Sequence, residues 1–303
     1  MDEERREGLR AILENSVAFD QPMDRFTTFR VGGKAEAVCF VEDPETLVRI
    51  LAYAKETETP YLVVGRGSNL LVRDGGLRGL AITLRGKLAL FERRGEKGDL
   101  VFAGAGLHLS ECLNACRQGG LGGLEFLAGI PGTVGGAVAM NAGAWGKETG
   151  DVVREVVMVL PSGERIGRYR SDLDFSYRRL TLPEGAVLVK VGFQCIPETP
   201  EVVEQRMRHY LEERKKTQPL EYPSGGSVFK NPPEDYAGRL IEQVGLKGFR
   251  IGGAMISGKH ANFIVNTGGA TASDVLALMV VARKRVKEET GVDLEPEIRV
   301  VGT

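Results

Sequence analysis

An excess of charge of either sign is what this 303-residue chain most clearly lacks: 40 Lys and Arg stand against 41 Asp and Glu, a formal net charge of -1. No basic field is available to draw in nucleic acid or an anionic membrane surface. No apolar run approaches the roughly 20 residues that a spanning helix requires. The opening MDEERREGLR is too charged for a signal peptide and reads as a helix. Cysteine is scarce, with four residues at 39, 112, 116 and 195. Cys112 and Cys116 fall on one helical face with His108 a turn before them, but three ligands without a fourth make a poor metal site. The thiols read as small, reduced core residues of a cytoplasmic protein that holds no metal. Internal repeats and low-complexity segments are missing as well.

Glycine is abundant instead, 40 in all, and it concentrates in Gly122–Gly146, GGLEFLAGIPGTVGGAVAMNAGAWG. There Gly129, Gly132, Gly135, Gly136, Gly143 and Gly146 alternate with small apolar residues, Pro131 and Asn141. Glycine costs conformational entropy, so such density is retained where backbone turns with positive φ or approaches something closely. Two readings follow. One is a connection between apolar strands; the other is a backbone cradle whose amide N–H groups hold a flat or phosphorylated cofactor. A second loop, Gly65-Arg66-Gly67-Ser68-Asn69-Leu70-Leu71, runs directly out of a short apolar strand at 61–64. It begins like the dinucleotide fingerprint G-x-G-x-x-G, but Leu70 stands in the third glycine's place and no helix opens there. A nicotinamide Rossmann site is thereby excluded. A phosphate-holding loop in another fold is not.

The rest of the chain mixes helix and strand. Helices are predicted at 3–15, at 44–55 behind the Asp43-Pro44 start signal, and at 109–118, 201–216 and 235–244. A last helix runs from the Thr271-x-x-Asp274 capping box to 289, with Gly291 ending it. Strands are predicted at 27–33 (entering a turn), 61–64, 70–72 and 80–84, and on either side of a polar turn at 93–98. Further strands form a hairpin of 152–159 with 165–169 about Pro161-Ser162-Gly163, and lie at 186–193, within 252–266 and at 294–301. Strands often follow one another directly, which argues for α+β rather than a βαβ series. A composition shift at 197–200 reads as a linker.

Taken in order, FRVGG, GRGSNLLV, AGIPGTVGGAVAMNAGAWG, SYRR, SGGSVFKNP, GGAMISGKHANFIVN and LEPEIRVVG span essentially the whole chain. This series resembles the flavoenzyme family of UDP-N-acetylenolpyruvoylglucosamine reductases. The resemblance implies a two-lobed FAD-binding unit of the vanillyl-alcohol-oxidase (PCMH) type, with lobes at 1–84 and 85–200 and FAD held noncovalently between them. It implies a C-terminal α/β substrate domain at 201–303 whose final strand packs back on the first lobe. The short stretch from Arg178 to Ser227 resembles the family's shorter-loop subclass. The implied reaction is NADPH-dependent reduction of an enolpyruvyl ether of UDP-N-acetylglucosamine to UDP-N-acetylmuramate, for peptidoglycan precursors. NADPH is the co-substrate, hydride reaches C3 by way of the flavin, and C2 then takes a proton. The implied partners are small molecules, without nucleic acid, membrane or an obligate protein.

Hydride addition at C3 loads negative charge onto C2 and the carboxylate, an enediolate-like species that needs preorganised partners. By resemblance Arg178, in Phe175-Ser176-Tyr177-Arg178-Arg179, supplies that charge, its fork matching a carboxylate as lysine would not. Tyr177 beside it contacts substrate. Leu180 stands where the family commonly has a serine, so no role carries over to that side chain. Taken alone, Arg178 reads as an exposed arginine pairing with Asp172 or Asp174. Ser227, in SGGSVFKNP, matches the family's proton donor to C2, activated by Lys230 or by the basicity of the developing carbanion. Taken alone, it is a turn serine capping local backbone. Lys230 and Asn231 suit the substrate's diphosphate and sugar. Glu297, the glutamate after Pro296, matches the catalytic glutamate, acting as a neutral acid or by orienting Arg178. Taken alone, it is a strand carboxylate aligned with Arg299.

For FAD the resemblance assigns Gly65, Arg66, Gly67, Ser68, Asn69 and Leu70 to the pyrophosphate and adenosine side. Gly129, Ile130, Gly132, Thr133, Gly135, Gly136, Asn141, Gly143 and Ala144 go to the pyrophosphate and isoalloxazine side. These loops contain no His or Cys to carry a covalent flavin. Two other functions fit parts of the chain. A flavin oxidase of the same superfamily has no need of the SGGSVFKNP and PEIR pair. A catalytically silent flavin or nucleotide sensor is indifferent to Ser227 and Glu297.

Overall fold

The computed structural model describes residues 1–95 and 98–303. The chain divides into two compact units, each assembled from separate stretches of sequence. The first comprises Met1–Phe19, Ala37–Gly65 and Gly79–Glu212; the second comprises Asp20–Glu36, Arg66–Arg78 and Glu213–Thr303.

In the first unit, helix Glu3–Leu13 begins where the Asp2 carboxylate accepts the Arg5 N–H, and it buries Leu9 and Leu13. One sheet has the order Val17–Pro22, Lys34–Val41, Leu77–Leu84, Tyr61–Val63, with the last pair parallel. Helix Pro44–Glu56 supplies the crossover into Tyr61–Val63. Asp43 caps it through the Thr46 N–H, and Leu47, Ile50, Leu51 and Ala54 face the core. A second, antiparallel sheet has the order Arg165–Tyr169, Val153–Val159, Val187–Gln194, Leu100–Gly104, Phe91–Arg94. Of the polar turn expected at 93–98, residues 96 and 97 lie outside the described residues. Helix Leu109–Gln118 and the short helix Val134–Ala139 complete this unit's core around Phe126, Val138 and Phe193.

All four cysteines are buried, free thiols within that core. Burial pushes the Cys39 thiol up to about 12, so it packs as a small hydrophobe and not as a nucleophile. Residues around 197–200 are tied into the same unit. Ile196–Pro197 pairs with Leu121–Gly122, and Arg206 bonds both Glu198 and the buried carboxylate of Glu125.

The second unit is a four-stranded antiparallel sheet in the order Ser224–Ser227, Phe263–Asn266, Ala254–Ile256, Arg250–Ile251. Helices Ala237–Gln243 and Ala272–Thr290 join it around Phe29, Leu71, Phe229, Leu240 and Leu278. The long helix carries the capping box read from Thr271 and Asp274, and Gly291 ends it with φ +77. Leu70–Val72 pairs in parallel with Arg299–Val301, across more than two hundred residues of sequence. In the turn that follows Leu70–Val72, the Asp74 carboxylate accepts the Ala272 and Ser273 N–H groups at 2.8 and 2.9 Å. Burial pushes that carboxyl up, but the Ser273 hydroxyl and these two amides outweigh it and hold it below the usual range.

Two expected strands are corrected. Segment 27–33 is irregular, because Arg30 and Gly32 take left-handed φ values of +53 and +119 that break an extended path. It is nonetheless core, with Phe29 and Val31 buried. The strand expected at 294–301 shrinks to Arg299–Val301. Pro296 has no N–H for a ladder and makes one isolated bridge, to Phe229.

Candidate active site

Gly65, where the first glycine loop begins, meets Thr133 of the second within the first unit. Thr133 caps Val134–Ala139 by accepting the Gly136 N–H, and a Cβ added at Gly65 would lie 2.5 Å from the Thr133 hydroxyl oxygen. A Cβ at Gly135 would lie 2.7 Å from that of Ala105. Glycine is needed at both positions so that backbone can pass at contact distance. In the second unit, Gly67 has φ +59, and a Cβ there would fall 2.2 Å from the Phe26 carbonyl oxygen. Among the described residues, the N–H groups of Gly65, Arg66, Gly67 and Ser68, and those of Gly132 and Thr133, meet no acceptor. The Thr28 hydroxyl, one residue after the Thr27 backbone that Gly67 approaches, is buried and lacks a partner among the described residues.

These features fit FAD. Rows of open N–H groups suit a pyrophosphate, and stretches without side chains let a flat ring lie against backbone. An orphaned buried hydroxyl costs roughly 1–3 kcal/mol until something bonds it. Thr28 carried no signal in the sequence beyond its place next to FRVGG.

Beyond Val134–Ala139 the chain forms a tight hairpin in which Gly143 and Ala144 pair with Glu148 and Lys147. Trp145 stands at its tip with φ +59 and stacks on Tyr210 at 5.7 Å. Asn141 is almost wholly buried, and its amide bonds Glu148 Oε2, the Ser176 carbonyl and the Gly150 N–H. Its side chain is thus spent on protein.

Tyr177 and Arg178 are the two residues that turn a short hairpin, closed by the pairs Ser176 with Arg179 and Phe175 with Leu180. Arg178 has φ +59, a left-handed backbone that favours glycine at the second residue of such a turn. A non-glycine residue held there costs on the order of 1–3 kcal/mol, and such outliers cluster at functional positions. The guanidinium bonds the Gly143 carbonyl at 3.3 Å and lies 5.0 Å from the Tyr177 ring centroid. Asp174, the neighbour considered as its partner, takes the Thr181 hydroxyl at 3.0 Å.

In the second unit, three motifs converge. Strand Ser224–Ser227 faces Phe263–Asn266 with Ser224 opposite Val265 but Ser227 opposite Phe263, so one extra residue bulges at the glycine pair. Gly226 takes φ +77 there, and a Cβ on Gly225 would enter the Phe29 ring. The bulge re-aims Ser227. Its successors are clamped by Asn262, whose side chain accepts the Phe229 N–H at 3.0 Å and donates to the Phe229 carbonyl at 2.8 Å. The Glu297 N–H bonds the Val228 carbonyl at 2.8 Å, while the Glu297 carbonyl accepts Asn69 Nδ2 at 3.2 Å. SGGSV, PEI and GRGSN therefore meet through Glu297.

Lys230 is held by Glu295, Nζ to Oε1 2.5 Å, and its N–H bonds the Glu295 carbonyl. Asn231 Oδ1 accepts the Ala237 N–H and so caps the following helix. Sequence reasoning missed Asn262 and Glu295. Both lie inside quoted motifs, but their tasks follow only from strand pairing.

Residues 35–167 match the family model described as an FAD binding domain, and that defines the class: an FAD-binding protein. Residues 218–301 match the model for the C-terminal domain of UDP-N-acetylenolpyruvoylglucosamine reductase. The enzyme of that name from Geobacter metallireducens is 46% identical over 302 residues, covering 100% of this chain and 99% of its own. That of Heliobacterium modesticaldum is 47% identical over 285 residues, covering 93% and 90%. The crystal structure of UDP-N-acetylenolpyruvylglucosamine reductase from Thermus caldophilus superposes with a TM-score of 0.82 at 40% identity, over 93% of this chain and 98% of that one. The chain belongs to the UDP-N-acetylenolpyruvoylglucosamine reductase family. Its α+β fold joins an FAD-binding portion to a C-terminal domain of that family. Among the described residues, no helix is long and apolar enough to cross a membrane.

Proposed function

We propose that the protein reduces UDP-N-acetylenolpyruvoylglucosamine to UDP-N-acetylmuramate with NADPH and noncovalent FAD, in the cytoplasm, as a step of peptidoglycan precursor synthesis. It acts on small molecules and needs neither nucleic acid, membrane nor an obligate protein partner. The observation that carries this reading is the convergence on Glu297, where the strand bearing Ser227 and the loop bearing Asn69 share one backbone segment. A loop assigned to cofactor and a serine assigned to substrate are thereby held in fixed register.

Bound FAD would supply the hydride-transfer chemistry between NADPH and C3 of the enolpyruvyl group. Gly65, Arg66, Gly67 and Ser68 would hold its pyrophosphate and adenosine side through backbone N–H groups, with Asn69 and Leu70 completing that loop. Gly129, Ile130, Gly132, Thr133, Gly135, Gly136, Gly143 and Ala144 hold the rest at backbone distance. Arg178 binds the substrate carboxylate as charge moves onto it, and Tyr177, exposed beside it, contacts the substrate. Glu297, half-buried between Pro296 and Ile298, hydrogen-bonds the same developing charge as the neutral acid. Ser227 gives its hydroxyl proton to C2. With Lys230 engaged by Glu295, the carbanion's own basicity draws that proton off. Lys230 and Nδ2 of Asn231, whose Oδ1 is taken by the Ala237 N–H, serve the diphosphate and sugar.

The purified protein should be yellow, and acid precipitation should leave all colour in the supernatant. Beyond the one equivalent that reduces the bound flavin, NADPH should be consumed only when the enolpyruvyl substrate is present, with one product two hydrogens heavier by mass spectrometry. Colour in the pellet would contradict noncovalent binding, and multiple turnovers of NADPH with the substrate present but no product formed would contradict the activity.

A further inference from the structure

We infer that Asn141 is a positioning residue that sets where the Arg178 guanidinium stands, acting through protein hydrogen bonds and not through the cofactor. This rests on the reading of Arg178 as the carboxylate-binding group. An asparagine amide has two protons to donate and two lone pairs to accept with. One proton goes to Glu148 Oε2 at 2.6 Å and the other to the Ser176 carbonyl at 3.0 Å. Oδ1 accepts the Gly150 N–H at 2.9 Å and lies 3.3 Å from the Thr149 hydroxyl. With 1% of the residue exposed, no valence remains for a ligand.

What those bonds enclose is the arginine hairpin. Ser176 closes the two-residue turn against Arg179, so a bond to its carbonyl fixes the base of that turn. Arg178 Nη1 returns to the Gly143 carbonyl at 3.3 Å, two residues after Asn141. The path from the Asn141 amide through Ser176, Tyr177, Arg178, Gly143 and Ala142 is therefore a closed ring. Both Asn141 and Arg178 have left-handed backbone, φ +41 and +59. Strained residues of this kind persist only where their surroundings over-determine them. Arg170 supports the same hairpin from its other end, bonding the Gly150 carbonyl at 2.7 Å with its guanidinium 4.8 Å from the Phe175 ring centroid.

Catalytic geometry has to hold within about 0.5 Å, and a displacement of about 1 Å can cost about a hundredfold in rate. The test uses the full FAD-loaded chain as wild type, Asn141→Ser, Arg178→Ala and the double variant. Flavin content, thermal midpoint and both half-reactions are measured by anaerobic stopped flow. Asn141→Ser should keep its FAD and its reduction by NADPH within about threefold, while the step with substrate slows roughly 10- to 100-fold. In the Arg178→Ala background, the same change should cost less than about twofold. Equal losses in both backgrounds, or loss of flavin from Asn141→Ser alone, would overturn the positioning role. Should Asn141→Ser not fold, Asn141→Asp keeps the size and loses the NH2. A protonated carboxyl can still donate once, so its substrate step relative to wild type should recover as pH falls. A ratio flat with pH overturns the proposal. An Arg178→Ala enzyme at the wild-type rate would remove the reading of Arg178, and the positioning role with it.

Discussion

Arg178→Ala and Glu297→Ala should each slow the step in which reduced enzyme meets its substrate by about 10²–10³-fold, the scale of losing one preorganised partner of a developing charge. The double variant should be scarcely slower than the poorer single one. Both side chains are assigned to one enediolate-like species, and groups that act as a unit lose their effect together. Flavin content and thermal midpoint should change little. Neither residue belongs to a glycine loop, and neither is fully buried. Arg178→Gly sharpens the test. Its backbone φ of +59 suits glycine, so that variant should keep its stability while losing the same step. A double-mutant cycle on the rate constant, with FAD quantified in each variant, checks the prediction. Strict additivity would mean two independent sites. A Glu297→Ala enzyme at the wild-type rate would return that carboxylate to a solvated strand face.

Ser227→Ala should divide the reaction differently. Reduction by NADPH requires no proton at C2, so it should stay near normal. The second half-reaction should slow by about 10²-fold or more, the usual worth of a positioned proton donor. The bulge at Gly225 and Gly226 is a backbone feature and survives the change, so the sheet register and melting should be unaffected. Stopped-flow absorbance separates the two steps, and equal slowing of both would remove Ser227 from its role.

Local signals were legible in the sequence because they are written within a few residues. Asp43 with Pro44, the Thr271 and Asp274 box, and Gly291 mark helix ends through side chains that bond neighbouring N–H groups or through a left-handed φ. What was not legible depends on distant partners. Segment 27–33 has strand-like composition, but Arg30 and Gly32 take left-handed φ and Phe29 packs into a core built from distant parts of the chain. Leu70–Val72 finds its partner in Arg299–Val301, at the far end of the chain. Asn141 is the clearest case at the candidate site. Its place in a glycine-rich motif suggests cofactor contact, whereas its bonds run to Glu148, Gly150 and Ser176. Lys230 likewise reads as a free cation until Glu295 is found on it.

The central claim is that one flavin carries hydride from NADPH to the enolpyruvyl group. An anaerobic two-step experiment tests it most directly. The yellow enzyme is first titrated with one equivalent of NADPH, then mixed with UDP-N-acetylenolpyruvoylglucosamine. The account predicts bleaching in the first step and full return of colour in the second, with UDP-N-acetylmuramate formed in the amount of bound FAD. Flavin that stays bleached with that substrate and recolours only when oxygen is admitted would contradict it, and would point to an oxidase.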